Sequence, residues 1–178
     1  MFAELTEEIE SAGFAYVEDV GWHHEHTRQF FRIFQNEVSR TLGTISFVEQ
    51  NEFAFYYITL TSRTNDGRVL MTWNYPFSYG LRLPPNFQIQ RLTGEKAIEE
   101  MVAVHGEFLR REGVSTSGLR EPSAETARAE MQLELREQLD HNLACGLLER
   151  DGPDLIRYSV RGMFFLWIQF LRDFVRFS

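Results

Sequence analysis

Residues 53–75 read FAFYYITLTSRTNDGRVLMTWNY, and this stretch decides the fold class. Residues 53–63 are dense in aromatic and β-branched side chains, the types that fit a pleated surface. Asn65-Asp66-Gly67 follows, and Asp-Gly supplies the positive φ angles of a type I′ turn. Residues 68–75 then return with the same bias. The spacing predicts an antiparallel hairpin, 53–63 with 68–75, turning at Asp66-Gly67.

Working toward the N-terminus, residues 44–49 read as a strand and Gln50-Asn51 as a turn. The segment 28–42 carries two patterns. Phe30, Phe34, Val38 and Leu42 stand four apart, as on one face of a helix, while the density of aromatic and β-branched residues argues for strands. Because plain β sequence follows, we read a strand pair turning near Asn36-Glu37. Residues 14–20 form another strand. Ahead of it Phe2, Leu5, Ile9 and Ala12 recur at helical spacing over 2–12, ending at Gly13.

Toward the C-terminus comes a loop with Tyr75, Pro76, Phe77, Tyr79, Pro84 and Pro85, then a short strand at 87–92. Thr93 is placed to cap a helix over 95–112, with Ile98, Met101, Val102, His105, Phe108 and Leu109 on its apolar face and Gly113 as its stop. Residues 114–122 read as a linker. Ser123 is the expected cap of a second helix reaching about 144, with Ala127, Met131, Leu135, Leu139 and Leu143 at four-residue steps. A hairpin over 146–160 turns at Asp151-Gly152-Pro153-Asp154, and Gly162 leads into a last helix over 163–177. The expected fold is therefore α+β, an antiparallel sheet packed with helices. A body over 1–113 precedes a C-terminal helix–hairpin–helix subdomain over 123–178.

Composition narrows the classes further. With 178 residues, 43% hydrophobic and 25% charged, the chain is neither disordered, collagen-like nor a multi-span membrane protein. Net charge is −8, and residues 1–26 hold seven carboxylates with no Lys or Arg. An acidic chain repels phosphate backbones, which weighs against a nucleic-acid partner. Seventeen of the 18 basic residues are Arg, which pairs bidentately and stacks on aromatic rings. Cys145 is alone, so neither an intramolecular disulfide nor a Cys-based zinc cluster can form, and a reducing compartment fits. The N-terminus has no basic and apolar leader pattern and no stretch reaches the ~20 apolar residues of a spanning helix. A soluble, cytoplasmic protein is expected.

The order helix, CGLLERDG turn (145–152), LIRYSVRG strand (155–162), helix resembles winged-helix domains over residues 128–165. The resemblance implies a recognition helix at 128–142, a wing at the hairpin, and a DNA-binding regulator. That helix, however, carries Glu130, Glu134, Glu137 and Asp140 against Arg128 and Arg136, and four carboxylates oppose phosphate contacts. The resemblance therefore bears on shape rather than function.

Phosphate loops, dinucleotide turns, zincin helices and nucleophile elbows have no match in the sequence. Trp22-His23-His24-Glu25-His26 offers imidazoles at His23, His24 and His26 that could take Zn²⁺ or Ni²⁺ with help from His105, His141 or Asp19. The plainer reading is a solvated turn, and no metal or cofactor is expected. His105 sits on an apolar helix face, as a hydrogen-bonded core histidine does; its functional alternative is a general base facing the aromatic loop. Cys145 follows His141 by four residues, one helical turn, a pairing that could make a thiolate but more often marks a core cysteine. Trp73, Asn74, Tyr75, Phe77 and Tyr79 group aromatics with turn residues, the composition of a ligand- or partner-binding surface.

The last helix has ten apolar residues within 163–175. Phe164, Trp167, Phe170, Phe174 and Phe177 share a broad stripe, with Phe165 beside it. Such a helix is buried core, a homodimer seam through Trp167, Phe170 and Phe174, or an amphipathic contact with a membrane surface. The functional expectation is a non-catalytic binding or interaction module, homodimeric, with an unknown protein or small-molecule ligand. A histidine-dependent hydrolase or lyase and a winged-helix regulator are the alternatives.

Overall fold

A computed structural model describes residues 2–24, 27–50, 53–77, 80–94, 96–152 and 155–176, with the side chains of 2, 22–24, 27, 50 and 173–176 outside that description. The elements are α1 (Phe2–Ser11), β1 (Ala15–His24), β2 (Thr27–Asn36), β3 (Thr41–Gln50), β4 (Phe53–Arg63), β5 (Val69–Trp73), β6 (Phe87–Arg91), α2 (Ile98–Arg111), a 3-10 turn (Thr116–Gly118), α3 (Ala127–Ala144), β7 (Leu148–Arg150), β8 (Ile156–Tyr158) and α4 (Val160–Arg176). The fold is α+β. No helix among the described residues is long and apolar enough to cross a membrane. The chain divides into two compact units, 1–76 with 86–128 and 77–85 with 129–178.

The first unit is a six-stranded sheet in the order β1-β2-β3-β4-β5-β6. Residue i+2 alternation decides which side chains meet the helices. Phe34, Ile45, Ile58 and Leu60 lie on one face and form a core with Leu5 and Ile9 of α1, Phe14, and Ile98 and Met101 of α2. The β4–β5 hairpin pairs Thr59 with Trp73 through Arg63 with Val69, as expected. Its turn differs in detail. The Gly67 N–H donates to the Thr64 carbonyl at 3.0 Å, and Gly67 alone of the loop residues has positive φ, at +91°. The Asp66 carboxylate accepts from the Thr64 hydroxyl and lies 3.3 Å from the Arg68 guanidinium. Those contacts hold Asn65 and Asp66 at ordinary negative φ, so Gly67 closes a three-residue loop in place of a type I′ turn.

Segment 28–42 holds β2, a turn over 37–40 and the start of β3, so the return strand of the expected pair and the strand expected at 44–49 are one element, Thr41–Gln50. Asn36 faces Thr41 across the β2–β3 turn, and Asn36 Oδ1 accepts the Ser39 N–H at 2.9 Å. Val38, a core position under the helical pattern, sits 88% exposed at the turn tip. At the far edge, β6 runs parallel to β5, making the sheet mixed instead of wholly antiparallel. The long connection after Trp73 lets the chain cross back to the starting end of β5.

One expected cap moves. Gly94 has φ +79°, a backbone no helix can pass through, so Thr93 cannot start α2; the cap position falls on Ala97. Ser123 makes its expected capping bond, its Oγ accepting the Glu125 N–H at 3.2 Å, and its carbonyl accepts from Thr126 and Ala127 in a turn that leads into α3 at Ala127. The expected linker 114–122 is packed against the first unit. Leu119 is buried with Leu70, Phe108 and Leu109, and the Arg120 N–H donates to the Arg63 carbonyl at 2.7 Å.

In the second unit α3 leads into the short β7–β8 hairpin and then α4. Helix α4 starts at Val160, before Gly162. Ser159 is its N-cap: the Gly162 N–H donates to Ser159 Oγ at 3.0 Å and the Met163 N–H to the Ser159 carbonyl at 2.8 Å. Gly162 sits inside the first turn, because a Cβ there would lie 1.9 Å from the Leu147 carbonyl oxygen. Only glycine permits that approach of helix to hairpin.

Candidate functional site

The aromatic residues around the end of β5 form a joined group on the sheet face opposite α1 and α2. Tyr75 stands edge-on to Tyr57 with ring centroids 5.0 Å apart, at 6.0 Å from Phe55 and 5.8 Å from Trp73. Burial pushes the Tyr57 phenol up, partly offset by hydrogen bonding to Ser46 and Gln29, so it stays neutral at physiological pH. Asn74 serves the backbone: its Oδ1 accepts the Ile58 N–H at 2.6 Å, continuing the β4 ladder past the end of β5. Trp73 is only 9% exposed. Of the five expected surface residues, Phe77 is the open one at 48%, and Tyr79 lies outside the described residues. The group can stack or exclude water, and among its described residues the titratable groups are tyrosine phenols.

His105 reaches from α2 to the helix-side face of the sheet, where Thr72 of β5 and Ser62 of β4 receive it. Nδ1 lies 2.9 Å from Thr72 Oγ1 and Nε2 3.1 Å from Ser62 Oγ. Ser62 Oγ also donates to the Arg40 carbonyl at 3.2 Å, which leaves it accepting from Nε2–H while the Thr72 hydroxyl donates to Nδ1. Burial pushes the imidazole down to about 4, so the ring is neutral. It does not face the aromatic loop, since Trp73 points to the other face of the sheet. This enclosed, satisfied ring has the geometry of a core histidine.

The His23–His26 candidates largely escape view. His23 and His24 continue β1 as backbone, their side chains and all of His26 lying outside the described residues. Among the described residues no group of three His, Cys, Asp or Glu side chains is arranged to hold a metal ion. Cys145 Sγ and His141 Nε2 approach to 3.5 Å at the end of α3, as the four-residue spacing requires. An acidic hollow of about 380 Å³ lies between α1 and the start of α2, edged by Glu4, Glu7, Glu8 and Glu99.

Among the described residues, α4 carries the longest run of exposed large apolar side chains. Gly162, Phe165, Leu166 and Gln169 form its inner side and are buried or half-buried. On the outer side Val160 is 78% exposed, Phe164 70% and Trp167 63%, with Met163, Ile168 and Leu171 at about half. These six line a shallow groove of about 490 Å³. The helix is therefore not core. Trp167 and Phe170 of the expected seam are exposed, and the Phe174 side chain lies outside the described residues. The aromatic stripe was legible in the sequence but Val160, Met163, Ile168 and Leu171 were not singled out, because apolar residues on both sides of the helix do not reveal which side packs. The signal that could have found them is Gly162, a small residue marking the inner side. In comparisons with known proteins, no protein-family model, no curated protein and no solved structure matches this chain.

Proposed function

We propose that the protein is a non-catalytic interaction module that meets its partner through the outer face of α4. The observation that carries this reading is the row of six large apolar side chains left half to three-quarters exposed on one helix. At on the order of 200 Å² per large side chain they offer roughly 700 Å² of apolar surface. Soluble proteins rarely leave a patch beyond a few hundred Å² uncovered without using it.

The alternatives have less support. A hydrolase or lyase using His105 or the His23–His26 cluster needs a histidine that substrate can reach; His105 is enclosed with both ring nitrogens occupied, and the side chains of His23, His24 and His26 lie outside the described residues. A winged-helix regulator would present α3 to DNA, and that helix carries an excess of carboxylates. Stability measurements on Phe164→Ser in dilute solution test the proposal. An exposed contact residue should change the urea midpoint by less than about 0.5 kcal/mol equivalent. A loss of about 3 kcal/mol or more would mark Phe164 as core and sink the reading.

A further inference from the structure

The outer face of α4 is built as two ridges. Val160, Phe164 and Ile168 stand four residues apart in one row, Met163, Trp167 and Leu171 in the next, and the groove runs between them. Rows of this kind on two helices interdigitate when the axes cross at about −50°. The stripe covers about three turns, long enough for such a crossing and too short for a multi-heptad coiled coil.

The spacing has a second property. From Val160 to Leu171 the steps are three, one, three, one and three residues, the same from either end. Turned end for end about the midpoint between Phe165 and Leu166, the stripe falls on itself. We infer that the occupant of this face is a second copy of the chain, the two α4 helices antiparallel and crossing about a two-fold axis; this rests on the interaction reading of α4 given above. Val160 then meets the second copy's Leu171, Met163 its Ile168, and Phe164 its Trp167.

Area, side-chain pairing and charge favour this occupant and its antiparallel orientation. Roughly 700 Å² per copy, enlarged by the neighbouring exposed Phe170, is close to the ~800 Å² per partner of a stable interface. Antiparallel pairing sets a smaller side chain against a larger one in the outer and central layers, whereas parallel pairing stacks Trp167 on itself and leaves Val160 against Val160. It also lays the helix dipoles head to tail. Arg161, whose guanidinium donates to the Cys145 carbonyl at 3.1 Å, and Arg172 share the flank beside Ile168, outside the two rows. An anionic membrane is the weaker occupant, because the chain carries −8 overall.

Sedimentation velocity and disulfide trapping test the inference on the full chain. The wild type should sediment at micromolar concentration with twice the 20.9 kDa chain mass, and Trp167→Glu should sediment as a monomer with an unchanged circular dichroism spectrum. If the glutamate variant fails to fold, Phe164→Ser serves, with weakened association expected. In a Cys145→Ser background, mixing Met163→Cys with Ile168→Cys should give an oxidised cross-link that neither variant gives alone. Self-cross-linking of each variant, or a dimer with no cross-link, would overturn the antiparallel register. A monomeric wild type whose Trp167 is quenched by iodide (read against Trp167→Phe) overturns the second copy and leaves the interaction reading. A monomer with Trp167 shielded overturns both. Capture of the monomer by phosphatidylcholine–phosphatidylserine vesicles would hand the face to a membrane and overturn the inference.

Discussion

The Asn142 carboxamide closes a two-way pair with the Arg82 backbone, accepting its N–H at 2.8 Å and donating to its carbonyl at 2.8 Å. Asn142 is fully buried on α3 and also donates to the Gln138 carbonyl at 2.7 Å. One side chain thereby fastens the 80–85 loop to the helix, in the way an added strand would.

Asn142→Ala should therefore cost about 2–3 kcal/mol, because it strands an amide and a carbonyl away from water. Chemical unfolding of the variant checks this. A loss below about 0.5 kcal/mol would show that the loop finds other partners.

Two glycines inside helices should respond in opposite directions. Gly162→Ala forces a Cβ into the Leu147 carbonyl, and a cost of at least ~3 kcal/mol is expected from overpacking that backbone cannot relieve. A Cβ on Gly106, in the middle of α2, would meet nothing within 4 Å. Gly106→Ala should stabilise by about 0.5–1 kcal/mol through the entropy of the unfolded chain and helix propensity. Paired thermal melts read both.

At Gly67 the limit is conformation rather than space. With φ at +91° and no atom within 4 Å of a Cβ, Gly67→Val should lose about 1 kcal/mol or more from backbone strain alone. An unchanged denaturation midpoint would contradict this account of the turn.

His105 makes stability depend on acid. Its folded pKa of about 4 lies below the 6.5 of an unfolded chain, so the unfolded state takes up the proton first as pH falls. Stability from this group is intact above pH 6.5 and drains away between about 6.5 and 4. The difference corresponds to about 3 kcal/mol. Urea midpoints across that range, for wild type against His105→Gln, should diverge at neutral pH and converge toward pH 4. Parallel pH profiles would mean that the imidazole titrates normally.

Local chemistry made most of the sheet legible in the sequence. The strand 53–63, the Asp66-Gly67 turn, the helix ending at Gly113 and the helix–hairpin–helix order over 123–178 all rest on neighbours within a few residues. His105 on an apolar face was readable for the same reason, since i+3 and i+4 spacing is set by the helix itself. Segment 28–42 shows where this stops. Its four-residue period and its β composition are both real, and pairing along the whole length of β3 decides between them.

The sequence by itself determined most element types outside 28–42, the acidic charge and the apolar character of the last helix. Tertiary structure alone decided that β6 lies parallel to β5, that 114–122 packs instead of linking, that Asn142 fastens the 80–85 loop, and which side of α4 faces out. Each of these depends on groups distant in the chain coming into contact. Helix α4 has large apolar side chains on its inner side, Phe165 and Leu166, as well as on its outer side, so its own sequence does not name the side that packs. Its orientation is set by the one position, Gly162, where the hairpin carbonyl of Leu147 can approach the helix backbone.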